Sequence, residues 1–423
     1  MAIAYKFSGL FNNNFLIVCC LFLIMELNFD EVLIADLHIH SRFSRACSKN
    51  ITFENLVKWA RIKGLNLLGT GDFTHPTWIN EIKEKLKDNG EGFYYSKDGF
   101  PFIITGEISL IYTQEWGRRV HLVLLVPSIE VAEEINSYLD TKGRRDYDGR
   151  PIFKISCEEF TKEMKKISKD IEVIPAHIWT PWFGVYGSNS GFDSLKEAFG
   201  SEFDNIHAIE TGMSSDPKMN WSIKDLKDKS IVSFSDAHSF WPFRLGREAT
   251  IFKKCDSYSE LIKQIRENNF LGTIETDPSY GKYHWDGHRN CKFSCGPDKS
   301  KKLNNICPVC KKSLIIGVEN RVLELEDKNI DYKNKKKYFT LLPLHEIIAL
   351  SIGVNNMESN KVWVVYNELI KEFGNELNLL LNVPLDDLLK KTDDKLARLI
   401  IKNRLGKIKV RPGYDGEYGI AEL

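Results

Sequence analysis

The chain has 423 residues, of which 43% are hydrophobic and 27% charged, and its 58 Lys+Arg are balanced by 58 Asp+Glu. This composition excludes a collagenous or wholly disordered chain, the length suits two or three domains, and zero net charge excludes a uniformly basic nucleic-acid coat. The neutrality is a cancellation. Residues 281–340 hold 14 Lys+Arg against 7 Asp+Glu, residues 341–423 sum to −1, and the first 280 residues sum to −6. A basic patch offset by acid elsewhere is compatible with a nucleic-acid partner. In chain order, the apolar run Phe15–Met25 comes first and is too short for the ~20 residues that span a bilayer. Lys6 precedes it, but no small-residue cleavage site follows. Residues 1–24 are set aside as an upstream extension, with Met25 favoured as the start. A cytoplasmic protein with no membrane partner is expected.

From Val32 onward, short apolar strands alternate with amphipathic helices. Val32–Leu37 is a predicted strand, Thr52 caps a helix running through Lys63 to Gly64, and Leu65–Gly69 is the next strand. Phe102–Thr105 and Val120–Val126 follow. Ser156 and Glu159 form a capping box for a helix to Ser168. Later strands are Ile171–Ala176, Ile206–Ile209 and Ile231–Phe234, with helices at Asp193–Phe199 and Ser257–Asn268. This alternation predicts an α/β domain with a mainly parallel sheet or barrel. Residues 281–334 lack regular periodicity and carry four of the nine cysteines. Beyond them, Pro343–Ser351, Asn360–Phe373, Leu385–Lys390 and Asp393–Leu405 are predicted helices. The domains expected are therefore 25–280, 281–334 and 335–423.

Polar residues cluster where strands end. His38 and His40 follow the first strand, Asp72 and His75 the second, and Glu107 the third. His121 lies beside the fourth, His177 follows Ile171–Ala176, and Asp236 and His238 follow Ile231–Phe234. Strand ends of an α/β barrel converge on one face, and nine nitrogen and oxygen donors there suit two or three divalent cations. Any one of these residues alone reads as structural; the combination does not. His207 and His345 fall outside the pattern.

The order Leu37-His38-Ile39-His40, Gly69-Thr70-Gly71-Asp72, Gly106-Glu107, Pro175-Ala176-His177 and Ser235-Asp236-Ala237-His238 resembles the polymerase and histidinol phosphatase (PHP) superfamily. That resemblance implies a distorted seven-stranded (β/α)7 barrel with a trinuclear phosphoesterase centre over about Val32–Thr276. Two departures stand out. Ser44–Cys47 occupies a usual ligand region, and His75 is displaced from the position next to Asp72.

Cys291-x3-Cys295 and Cys307-x2-Cys310 have the spacing of a closed tetrahedral zinc site. Redox chemistry at Cys307-Pro308-Val309-Cys310 is the weaker alternative. Lys282, Lys292, Lys299, Lys301, Lys302, Lys311 and Lys312 surround the cysteines, with Tyr283, Trp285 and Phe293 interleaved, which suits phosphate contacts and base stacking. Arg398, Lys402, Arg404, Lys407, Lys409 and Arg411 form a second, acid-free basic stretch.

The three-part layout resembles the endonuclease Q family of DNA-repair nucleases. The strings Ala35–Ser44, Gly69–Pro76, Gly317–Val322 and Pro412–Gly416, with the cysteines, carry that resemblance over Met25–Leu423. It implies cleavage on the 5′ side of deaminated bases (uracil, hypoxanthine, xanthine) and abasic sites in DNA, leaving a 3′ hydroxyl and a 5′ phosphate. Some relatives engage a sliding clamp, but no Gln-x-x-aliphatic-x-x-aromatic-aromatic motif closes this chain. The expected machinery is two or three cations (Zn, Mn, Mg or Fe) on His38, His40, Asp72, His75, Glu107, His121, His177, Asp236 and His238, plus one structural zinc on the four cysteines. Asp236, His238, Asp72 and Glu107 are the candidate catalytic residues. Trp179, Tyr186, Ser188 and Asn189 are candidate readers of an extruded base. Arg244, Arg247, Lys292, Arg404 and Lys409 are candidate phosphate contacts. The competing readings are a small-molecule phosphatase acting on a histidinol phosphate-like ester, and a non-catalytic DNA-binding protein with a degenerate site.

Overall fold

The computed structural model describes residues 27–330, 332 and 335–422, so the apolar run Phe15–Met25 lies outside the described residues. Seventeen strands are assigned among them: β1 (Val32–Asp36), β2 (Leu67–Gly69), β3 (Leu86–Asp88), β4 (Tyr94–Ser96), β5 (Pro101–Gln114), β6 (Trp116–Val126), β7 (Ile152–Phe153), β8 (Glu172–Pro175), β9 (Ala208–Glu210), β10 (Ser230–Val232), β11 (Ala249–Lys253), β12 (Gly272–Glu275), β13 (Asp286–His288), β14 (Phe293–Cys295), β15 (Lys337–Thr340), β16 (Lys409–Arg411) and β17 (Ile420–Glu422). The large sheet runs β15-β12-β11-β1-β2-β5-β4-β3, with β6, β7 and β8 branching from β5. β1, β2 and β5 pair in parallel at its centre, whereas β11 is antiparallel to both β1 and β12. β9 and β10 form a separate parallel pair.

All five residues of β1 are buried, so its apolar run reflects cover on both faces rather than an amphipathic strand. The helices that provide cover start where their caps dictate. The Thr52 hydroxyl accepts from Asn55 N at the head of Phe53–Lys63, and Gly64 ends that helix at φ 101°. Ser156 and Ser257 cap Cys157–Ile167 and Tyr258–Arg266 in the same way. Several helices were not foreseen, among them Pro76–Lys85, Ile129–Asp140, Val318–Leu325 and Glu376–Leu381. The third and fourth strands also extend far beyond their expected limits. Together they form one long antiparallel hairpin, paired from Ile104–Val126 out to Gln114–Trp116.

The C-terminal helices are fastened to the first domain by buried charges. Lys63 Nζ lies 2.7 Å from Glu376 Oε1 and also donates to Pro242 O, and Glu376 accepts from Tyr366 Oη and Leu344 N as well. Arg247 pairs with Glu346 at 2.8 Å. Removing one partner of such a buried pair costs about 3–5 kcal/mol. β15 pairs in parallel with β12, so the boundary expected at residue 335 falls just before a strand of the first sheet. The tail is likewise not free. β16 and β17 form a hairpin, and Trp285 N donates to Gly413 O and Gly416 N to Lys282 O, which lays the tail against the cysteine-bearing segment. No helix among the described residues is long and apolar enough to cross a membrane.

Candidate active site

Glu107 is the hub of the site. It lies on β5, and the hairpin register that pairs Ser109 with His121 puts Glu107 and His121 on one face. His38 and His40 follow β1, and His40 N donates to Ala237 O, which brings the loop after β10 alongside. His177 follows β8. Two donor groups result. His38, His40, Glu107 and Asp236 form one, and Glu107, His121 and His177 the other, each with ligand atoms within 4.8 Å of one another. His40 Nε2 stands 2.9 Å from Asp236 Oδ1 and 3.3 Å from Glu107 Oε2. Glu107 Oε1 stands 2.7 Å from His121 Nδ1 and 3.2 Å from His177 Nε2.

The donors fit divalent cations. His38 Nδ1 donates to Glu210 Oε1 at 2.8 Å, and His40 Nδ1 to Asp72 Oδ1 at 2.9 Å. Each bond turns an Nε2 lone pair toward the shared carboxylates, the arrangement by which outer carboxylates orient metal-binding histidines. His38 Nε2 is buried with no hydrogen-bond partner, as expected of an atom directed at a cation. Burial opposes ionisation of Glu107, yet His121, Arg150 and His38 hold its carboxyl well below the usual range. Burial similarly opposes the charge on Asp236, and His238, His40 and His38 outweigh it. Burial takes the His121 imidazole down to about 4 despite Glu107. His38 and His40 are raised instead, because Glu210 and Glu107, and Asp72 and Asp236, outweigh their burial. Protons and cations therefore compete at those two rings. His177 and Asp236 have φ values of 31° and 50°, and Asp72 has 44°. Left-handed backbone at non-glycine residues costs roughly 1–3 kcal/mol each and is typical of sites where geometry is imposed.

Three of the nine expected ligands fall outside both groups. Asp72 orients His40, and its second oxygen is taken by Ser41 N, Ser41 Oγ and Ser44 Oγ. His75 heads the helix Pro76–Lys85 and stacks on Phe43 with ring centroids 4.2 Å apart. His238 Nδ1 donates to Asp236 O. Two further residues were not foreseen, Glu210 beneath His38 and Arg150, whose Nη1 lies 2.9 Å from Glu107 Oε2. The Cys47 thiol faces the site but stays neutral, since burial pushes it up to about 12.

A cavity of about 910 Å³ opens over these groups, walled by Trp182, Arg244, Tyr283 and Tyr418. The expected base readers lie elsewhere. Trp179 and Tyr186 are buried against each other, and the Trp179 indole donates to Asn220 Oδ1. Ser188 Oγ donates to Ile316 O. Asn189 is exposed and does not line the cavity. The aromatic wall comes instead from Trp182 and Tyr283, 5.4 Å apart. Arg244 and Arg247 both border the cavity, the Arg247 guanidinium being also engaged by Thr276 and Glu346. Arg404 is buried and donates to Leu379 O, Leu380 O and Val383 O, closing the end of the helix Glu376–Leu381. Lys292 and Lys409 are exposed.

The second donor cluster brings together three of the four expected cysteines and one histidine. Its members are His288, Cys291, Cys307 and Cys310, with His288 Nδ1 3.5 Å from Cys310 Sγ. Cys295 is buried beside Cys307 and Leu314 as an apolar group. The reason is spacing. His288-x2-Cys291 brackets a single turn of 3-10 helix that presents both side chains together, whereas Cys295 stands opposite Asp286 at the end of β14.

An α/β fold with paired histidine–carboxylate groups at the floor of an open cavity defines a metal-dependent hydrolase of phosphate esters. The chain belongs to the endonuclease Q family. It is similar to the lesion-specific endonuclease PfuEndoQ of Pyrococcus furiosus, with 33% identity, TM-score 0.83, and coverage of 93% of this chain and 95% of that one. It is also similar to an endonuclease Q solved with a 27-mer duplex bearing an abasic lesion at its active site, at TM-score 0.84, 33% identity, and 93% and 96% coverage. Residues 343–407 match the family model of the MJ0043 C-terminal domain. The chain is 34% identical over 284 residues to the uncharacterized protein MJ0043 of Methanocaldococcus jannaschii, a match spanning 66% of this chain and 34% of that protein's length.

Proposed function

We infer that the protein is a lesion-specific DNA-repair endonuclease that hydrolyses the phosphodiester on the 5′ side of deaminated bases and abasic sites in duplex DNA. The observation that carries this reading is the pair of donor groups joined at Glu107 on the floor of the 910 Å³ cavity, in a chain of endonuclease Q architecture. Its support as a barrel comes from the bonds that join neighbouring segments around the site. Ile178 N donates to Glu210 O, and Thr211 N to Val232 O, which with the His40–Ala237 bond link β8, β9, β10 and β1 in series.

His38, His40, Glu107 and Asp236 would hold one divalent cation and Glu107, His121 and His177 another. When bound, such ions activate water near neutral pH and offset charge on a phosphoester. The chain's own residues do the rest. Glu210 and Asp72 fix the ring orientations of His38 and His40, and Glu107 keeps its charge at the centre of both groups. Trp182 and Tyr283 offer apolar faces to a base displaced from its stack. The knuckle of His288, Cys291, Cys307 and Cys310 suits one zinc ion, and the backbone that carries Lys282 and Tyr283 is held by Gly416 N and Val318 N. Lys292 and Lys409 are available for DNA phosphates.

The test is strand cleavage of duplexes containing uracil, hypoxanthine, an abasic site or no lesion, with Mg²⁺, Mn²⁺ and Zn²⁺ supplied in turn. A nick 5′ to the lesion, and none in the unmodified duplex, is the expected result. Equal cutting of all four, or turnover of a small phosphomonoester in preference to DNA, would overturn the reading.

A further inference from the structure

The loop that carries Arg150 is built into the site with unusual care. The Asp148 carboxylate accepts from Arg150 N and Arg45 N. Gly149 N donates to Phe43 O, and the Thr74 hydroxyl donates to Gly149 O. Any side chain at position 149 would run into the Asp72 carboxylate and the Ser44 hydroxyl, so only glycine lets the loop approach this closely. The result is that Arg150 reaches across to Glu107 with Nη1 2.9 Å from Oε2.

Among the described residues, that is the only hydrogen bond the guanidinium makes. Its side chain remains 22% exposed and lines the cavity beside Cys47, Asp236 and His238. Burial disfavours the charge, but Glu107 and Asp236 more than compensate, and its ionisation is reinforced. At this end of the cavity both oxygens of Asp72 are consumed by protein donors. Here the guanidinium provides a fixed positive charge. A guanidinium with free N–H groups on one edge matches the oxygens of a phosphate in geometry as well as in charge.

We propose that Arg150 is a substrate-binding catalytic residue, holding a non-bridging oxygen of the phosphodiester through its free N–H groups while Nη1 stays on Glu107. It donates hydrogen bonds only, and no proton leaves it. This assignment rests on the endonuclease reading for the identity of its substrate, but the chemistry it recognises is the phosphate group.

The test compares wild type, Arg150→Met and Arg150→Lys, each loaded with Mn²⁺, by three measurements: metal content, calorimetric binding of inorganic phosphate, and single-turnover cleavage of an abasic-site duplex. Arg150→Met is expected to keep its full metal content, to bind phosphate at least roughly tenfold more weakly, and to cut at least about a hundredfold more slowly with little change in duplex affinity. Arg150→Lys, which retains charge but not the fork, should fall between the two, and it serves alone if the methionine variant does not fold. Loss of cations from either variant would make Arg150 a positioning residue for Glu107 and overturn the proposal, as would wild-type phosphate binding and cleavage. If wild type binds phosphate through Arg150 yet cuts no lesion duplex, the endonuclease reading fails and the assignment of Arg150 to a phosphate stands.

Discussion

Asp72 Oδ1 lies 2.9 Å from His40 Nδ1, while Oδ2 accepts from Ser41 N at 2.6 Å, Ser41 Oγ at 2.7 Å and Ser44 Oγ at 2.8 Å. A residue at the end of a strand in a histidine-rich site is thus held by protein donors, with one oxygen on the back of the His40 ring. Asp72→Asn should therefore weaken cation binding by about 10–100-fold without abolishing it, the usual effect of losing an outer-sphere partner. Chelator competition measures this directly. Complete loss of a cation would show that Asp72 is itself a ligand.

Glu107 is common to both donor groups. Glu107→Gln removes the charge that each group depends on, so elemental analysis should find both active-site cations gone and the knuckle ion retained. Asp236→Asn touches only the first group; it should abolish cleavage, keep DNA binding, and leave His121 and His177 able to hold an ion. A Glu107→Gln protein with full metal content would contradict the shared-carboxylate arrangement.

The knuckle makes a sharp distinction between two neighbours. His288→Ala should release its zinc and unfold the segment from Asp286 to Leu314, because binding energy at such sites is folding energy. Cys295→Ser should keep the ion and cost only the packing of a buried thiol. Zinc loss from the serine variant with retention in the alanine variant would restore the four-cysteine set.

Beneath the site, Ser233 Oγ reaches both Glu248 and Glu275. Burial pushes the Glu248 carboxyl up to about 8, and the Glu210 carboxylate adds to it. A folded-state value raised above the ordinary 4.5 means that the native state binds a proton the unfolded chain has lost. Glu248 therefore contributes stability that is full below about pH 4.5 and lost as pH rises through about 8. Denaturant melts of wild type and Glu248→Gln across that window should show wild type losing stability relative to the variant. Parallel curves would mean that the carboxyl titrates normally.

Arg404 and Lys409 both belong to the basic stretch, but their environments differ. Arg404→Ala leaves three buried carbonyls without their donor and should cost about 2–4 kcal/mol of stability, with duplex affinity unchanged in the folded fraction. Lys409→Ala should leave the melting temperature alone and weaken DNA binding in a salt-dependent manner.

Much of the site was legible from residue type and order, although Glu107 and His121 lie within the long hairpin and not at strand ends. The order of His38, His40, Glu107, His121, His177 and Asp236 along alternating elements already placed them on one face. The helix limits at Thr52, Ser156 and Ser257 were legible because a cap is a local hydrogen bond, decided within a few residues. His288 had a signal that went unused: its x2 spacing to Cys291 equals that of Cys307 to Cys310. Arg150 and Glu210 had none, since each acts across more than forty residues of chain, on Glu107 and on His38. Trp179 and Trp182 are three positions apart in one loop, and no sequence pattern distinguishes the one that is buried from the one facing the cavity.

By itself, the sequence determined the α/β class, the chemistry of the donors and the presence of a basic, cysteine-bearing segment, because residue type and local spacing suffice for these. Only the tertiary structure decided which donors meet. It made Glu107 the shared carboxylate, set Asp72 behind His40, exchanged Cys295 for His288, and buried Arg404 while bringing Arg150 to the cavity. Each of those outcomes depends on hydrogen bonds and packing between segments distant in the chain, whose free energies no local pattern encodes.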